Sequence, residues 1–165
     1  MNSKTGIIVI GGHIQALGIA RILGRQGIPV ILLDDHFVGI ARFSKYVARS
    51  YSLKGSEAIL DELLSFKQQD LYSGWIVFPT HDSHVELLSK NKYNLEPHYR
   101  ISTDDWSIIE LFYDKVNTYA LCKELEIPLA KTYTKIDFAL IDSIDIDFPC
   151  IIKPAVMHKF YSATK

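Results

Sequence analysis

The sequence predicts an α/β fold built on a doubly wound parallel sheet, followed by the start of a second domain. Three observations carry that prediction. Continuous apolar runs recur at Gly6–Ile10, which is β-branched, at Pro29–Leu33 and at Trp75–Phe78, the pattern of strands covered on both faces. Stretches with helical apolar periodicity separate them, giving a βαβαβ alternation. After Ser102 the composition changes, and the alternation stops. We therefore expect a first domain over 1–103 and the incomplete start of another over 104–165.

Gly11-Gly12 closes the first strand, and the stripe Ile14, Leu17, Ile19, Ala20, Ile22 and Leu23 predicts a helix stopped at Gly27. The second strand ends in Asp34-Asp35. His36–Lys45 reads as a polar loop and Tyr46–Ser52 as a short strand. A helix follows over Ser56–Gln69, with Ser56 as its cap and Ile59, Leu60, Leu63, Leu64 and Phe66 facing inward. Asp82 or Ser83 is expected to cap the next helix, through about Lys90, with the stripe Val85, Leu87 and Leu88. Tyr99–Ser102 reads as a further strand. Two helical segments broken near Tyr113-Asp114 occupy 104–126, extended structure is expected over Pro128–Thr134, and 135–147 has no readable pattern. Cys150–Ile152 is expected to be a short buried strand ending in Lys153.

Composition narrows the function classes. With 48% apolar and 22% charged residues the chain has the balance of a folded domain rather than a disordered segment. Lys plus Arg is 18 against 19 for Asp plus Glu, so no basic excess serves a nucleic acid. No apolar run reaches membrane-spanning length, and no secretory pattern opens the chain, so a cytoplasmic location is expected. The two cysteines, Cys122 and Cys150, lie in different elements and argue against a disulfide framework.

Gly11 to Gly18 lies where a strand's carboxyl end meets a helix N-terminus, a place that favours an anion. It is neither a dinucleotide fingerprint, since Ile14 stands where a glycine is needed, nor a P-loop. Asp34 could grip a ribose in a nicotinamide-binding domain, and the glycines could equally serve only a tight turn. Thr80-His81-Asp82-Ser83-His84 offers two imidazoles and a carboxylate at a strand end. The readings are a metal site lacking further ligands, a substrate contact, or a capped helix with histidines in solvent. His13, His36, His98 and His158 are expected on the surface. No nucleophile elbow or Cys–His arrangement is evident. Lys115 opens a helix, and Lys153 closes an apolar strand where its charge needs water or an anion.

Several segments in order carry a resemblance. Gly27-Ile28-Pro29-Val30 leads into a strand ending in aspartate, followed by Ala41-Arg42-Phe43-Ser44-Lys45-Tyr46, then Phe78-Pro79-Thr80-His81-Asp82 with Val85. Asp114-Lys115, Ile127-Pro128, Lys131-Thr132 and Phe148–Pro154 follow. In this the chain resembles the N-terminal part of ATP-grasp ligases, in particular the carboxylate–amine ligase group that includes D-aspartate ligases. The resemblance implies a Rossmann-like pre-ATP-grasp domain and then the beginning of an ATP-grasp domain. It implies that Lys115 and Lys153 contact ATP, and that Gly11, Gly12, Thr80, His81 and Asp82 face a carboxylate or amine substrate.

The implied chemistry is attack of a carboxylate on the γ-phosphate, giving an acylphosphate that an amine captures, with Mg2+ and lysines stabilising the transferring phosphoryl group. The family's metal ligands would lie beyond Lys165, so the 165 residues alone are expected to be inactive. Other readings are a stand-alone nucleotide- or ligand-binding module and a dehydrogenase-like domain. An unfinished sheet edge also invites homo-oligomer formation.

Overall fold

The computed structural model describes residues 5–35, 39–133, 145–156 and 160. The chain divides into two compact units, Met1–Ile109 and Glu110–Lys165.

The first unit contains β1 (Ile7–Ile10), α1 (Ile14–Arg25), β2 (Val30–Asp34), a short 3₁₀ helix (Ile40–Phe43) and β3 (Val47–Ser52). Next come α2 (Gly55–Gln68), β4 (Ile76–Pro79), α3 (Asp82–Leu95) and β5 (Arg100–Ile101). All pairings are parallel, in the order β3-β2-β1-β4-β5. The sheet thus grows outward from β1 in both directions, and the order reverses between β1 and β4. Such a switch point leaves a crevice at the carboxyl ends of the two strands.

β1 and β2 are buried along their whole length, as continuous apolar runs require when both faces are covered. On one face Ile8, Ile10, Ile31, Leu33 and Val77 pack with Ile59, Leu63 and Phe66 of α2 and Leu88 and Leu95 of α3. On the other, Ile7, Val9, Val30 and Leu32 pack with Ala16 and Ala20 of α1 and with Ala41. β4 departs from expectation. Val77 is buried but Ile76 is 37% and Phe78 41% exposed. The reason is coverage: α1 lies over β1 and β2, and the core it forms with them includes no residue of β4.

Gly27 follows α1 in the left-handed region at φ 74°, where a helix-ending glycine was expected. The other caps differ. α2 starts at Gly55 with Lys54 as its N-cap, so Ser56 lies inside the first turn and caps nothing. α3 has His81 as its N-cap, in extended conformation (φ −138°, ψ 155°), which puts Asp82 and Ser83 inside the helix. Their short side chains fit an N-cap, but the backbone turns one residue earlier. α3 also runs on to Leu95, past Lys90.

α4 (Trp106–Tyr113) spans the division between the units, and α5 (Lys115–Glu124) lies in the second. Asp114 caps α5 by accepting a hydrogen bond from Val116 N at 2.8 Å. In the second unit, Lys131 pairs with Asp147 at 2.6 Å and the Tyr133 hydroxyl donates to Asp145 O at 2.9 Å. The Asp147 hydrogen bond raises the Lys131 pKa above its usual value. Residues 128–133 form no strand, and neither do 145–156. The expected buried strand Cys150–Ile152 is therefore corrected: Ile151 and Ile152 are 81% and 82% exposed, and Cys150 is exposed. A strand exists only through a partner's backbone, and among the described residues none pairs with this segment.

Candidate functional site

The crevice between the ends of β1 and β4 brings together most of the residues singled out from sequence. Gly11 leaves β1 at φ 96°, a left-handed value that strains any residue with a Cβ. A Cβ there would also collide with Thr80 Oγ1 and lie 3.0 Å from the His81 ring and 3.2 Å from that of His84. Thr80 locks the two strand ends together: its N–H donates to Ile10 O at 3.0 Å and its hydroxyl donates to the same oxygen at 2.7 Å. His13, the residue preceding α1, stacks edge-on against His81 with ring centroids 4.9 Å apart, and His81 meets His84 at 5.4 Å. The turn Gly11–His13 at the start of α1, with its rim of imidazoles, is suited to an anion through backbone N–H groups and the helix dipole.

Beneath this rim the structure places a carboxylate–imidazole pair. His84 is fully buried, and its Nε2 lies 3.1 Å from Asp35 Oδ2, the side chains being 1% and 14% exposed. This links the first turn of α3 to the end of β2. Of the three readings of Thr80–His84, a solvent-exposed His84 is thus excluded, and His98, expected on the surface, is also buried, with its ring on Leu71 O at 2.7 Å. His13 is exposed as expected. His36 and His158 lie outside the described residues. A signal for His84 was present in the sequence: His84, Leu88 and Leu95 recur with helical spacing and share the inward face of α3.

Asp34, the candidate ribose ligand, is corrected as well. It is fully buried, and its carboxylate fills the space where side chains at Gly12 and Gly39 would stand. The two glycines close over it, so it presents nothing to a ribose. Ala41 N donates to Gly12 O at 2.9 Å, tying the 3₁₀ segment to the same turn. Asp82 is exposed at the start of α3. Among the described residues, no group of three or more His, Cys, Asp or Glu is placed to hold a metal ion.

In the second unit, Lys115 and the Lys153 segment come together. Lys115 donates to Ala155 O from both its backbone N and its Nζ, each at 3.3 Å. Lys153 is exposed two residues earlier.

No protein-family model matches the chain. Over 94 residues, 54% of its length, it is 26% identical to a D-aspartate ligase of Enterococcus faecium (strain Aus0004), of which it spans 22%. Among solved structures, it superposes on N5-carboxyaminoimidazole ribonucleotide synthetase from Thermotoga maritima with a TM-score of 0.61 and 22% identity, covering 88% of this chain and 37% of the other. An L-amino acid ligase from Bacillus licheniformis gives 0.63 and 15%, covering 93% and 38%. The fold is that of the N-terminal part of ATP-grasp carboxylate–amine ligases. The chain thus spans well under half the length of the relatives it matches. One further relative of this fold, a synthetase from Staphylococcus aureus, was solved with ADP, at a TM-score of 0.54 and 17% identity over 75% of this chain and 31% of that one. Among the described residues, no helix is long and apolar enough to cross a membrane.

Proposed function

We propose that this chain is the N-terminal portion of an ATP-dependent carboxylate–amine ligase, with 1–103 as its pre-ATP-grasp domain and 104–165 as the beginning of its ATP-grasp domain. The observation that carries the reading is the crevice at the switch point. Gly11, Gly12, Thr80, His81 and Asp82, separated by about seventy residues of sequence, gather at the ends of two adjacent strands. That is where open α/β sheets take their ligands, and the turn favours a carboxylate. In this reading Gly11–His13 binds the anionic end of the substrate, and His81 and Asp82 contact its other polar groups.

Lys115 and Lys153 are assigned to ATP phosphates. A lysine ammonium is a compact charge suited to that role, and the contact of Lys115 with Ala155 supports placing both near one ligand. When Mg2+ accompanies the nucleotide it neutralises phosphate charge. We keep the expectation from the resemblance that these 165 residues by themselves form no amide.

The test is nucleotide affinity. In the ligase containing this sequence, Lys115→Ala and Lys153→Ala should each weaken ATP binding by about tenfold or more, the loss of one charge-assisted contact. Unchanged affinity in both variants refutes the assignment. Amide-forming, ATP-consuming turnover by the 165 residues alone refutes the expected inactivity.

A further inference from the structure

The segment Ala41–Tyr46 is one of the motifs of the sequence. Four of its residues line an open cavity of about 460 Å³, bounded by Arg21, Arg25, Phe43, Ser44, Lys45 and Tyr46. Its chemistry is one-sided: three of the six lining residues are cations and none is a carboxylate, in a chain whose formal net charge is −1.

The cavity is also shaped by packing. Gly24 sits inside α1, where glycine weakens a helix and calls for a packing reason. The reason is Tyr46. A Cβ at Gly24 would run into the Tyr46 ring, with Cγ at 2.7 Å and Cδ1 at 2.8 Å. The glycine lets that ring lie against the helix. Arg21 and Arg25 stand four residues apart on one helix face, where like charges repel modestly and an anion would be favoured. Arg25 is accounted for by the helix C-terminus; Arg21 is not. Lys45 Nζ lies 5.2 Å from the Tyr46 centroid, and Ser44 Oγ accepts from Tyr46 N at 3.4 Å. Phe43 is 80% exposed at the same cavity. Guanidinium groups beside an open aromatic face match a planar ring carrying phosphate.

We propose that this cavity binds a phosphorylated small molecule bearing a planar ring, at a site separate from the residues assigned to ATP. Arg21, Arg25 and Lys45 take the phosphates, Ser44 donates its hydroxyl to them, and Phe43 stacks on the ring.

The test uses the full chain carrying Lys115→Ala and Lys153→Ala, so that nucleotide held by those lysines does not contribute. ADP is titrated while the backbone amide signals of Gly24 and Tyr46 are followed by NMR. Saturable shifts at both amides are expected. Arg21→Ala/Arg25→Ala, at exposed positions that leave the fold intact, should weaken ADP by about tenfold or more. Phe43→Ala should weaken ADP but not tripolyphosphate. Absence of a saturable shift, or shifts unchanged by the arginine substitutions, overturns the site. Equal affinity for ADP and tripolyphosphate overturns the role given to the ring.

Discussion

Breaking the His84–Asp35 pair should destabilise the first unit. The pair joins α3 to the end of β2 with almost no access to water. Replacing His84 by alanine removes a hydrogen bond to a carboxylate, about 1.5–3 kcal/mol, and leaves an emptied space costing about another 1–2 kcal/mol. Asp35→Ala leaves the buried Nε2 unpaired beside Nδ1, which already has no hydrogen-bond partner, at about 1–3 kcal/mol. Because the two residues share one bond, their costs should not add. A double-mutant cycle should return a coupling energy of about 1.5–3 kcal/mol. Urea unfolding followed through Trp75, which packs against the α2–α3 core, measures each corner of the cycle. With a slope of about 1–3 kcal/mol per molar urea, the His84 variant should unfold at least about 1 M earlier. His84→Asn, which leaves a smaller space, serves if the alanine variant does not fold. A coupling energy below about 0.5 kcal/mol would refute the claim that this pair ties the crevice together.

Two further outcomes follow from buried or capping groups. Tyr99 is buried, with its hydroxyl donating to Leu63 O at 2.8 Å, and burial raises its pKa far above the usual 10. Stability should be unaffected by Tyr99 below pH 10. It should then fall by up to about 1.4 kcal/mol per pH unit as the unfolded chain ionises first; alkaline denaturation of Tyr99→Phe, lacking that dependence, checks it. Asp114→Ala removes the cap of α5 and should cost the second unit about 1 kcal/mol, read as a loss of helical circular dichroism, with no change in the chemical shifts of β1 and β2.

What the sequence made legible was structure with a local cause. β1 and β2 are readable because a strand covered on both faces must be apolar throughout. α4 and α5 are readable because Asp114 stops one helix and caps the next. β4 was misread because Ile76 and Phe78 have the composition of buried residues, and only the position of α1 decides that their face stays open. His84 carried a readable periodicity, yet its type suggested solvent. Nothing local foretold its bond to Asp35, because the two are brought together by sheet order. The cavity under Arg21 and Arg25 was hidden for the same reason: helix α1 and the Ala41–Tyr46 segment are neighbours only in space.

The Lys153 segment shows how a local pattern can state a condition without meeting it. Phe148, Ile151 and Ile152 have the character of a core strand, yet all three are exposed, and beyond Tyr99 no described residue is buried. Burial of Ile151 and Ile152 would contribute on the order of 1.5–3 kcal/mol each, but a strand must first pair its backbone groups. On an unpaired backbone, Lys153 in its proposed role would lose conformational freedom on gripping a phosphate. The same lysine on a paired strand would be held in place beforehand. In the proposed role its affinity for nucleotide would depend on what pairs with Cys150–Ile152, whereas the turn at Gly11 and Thr80 is already fixed by the sheet of the first unit.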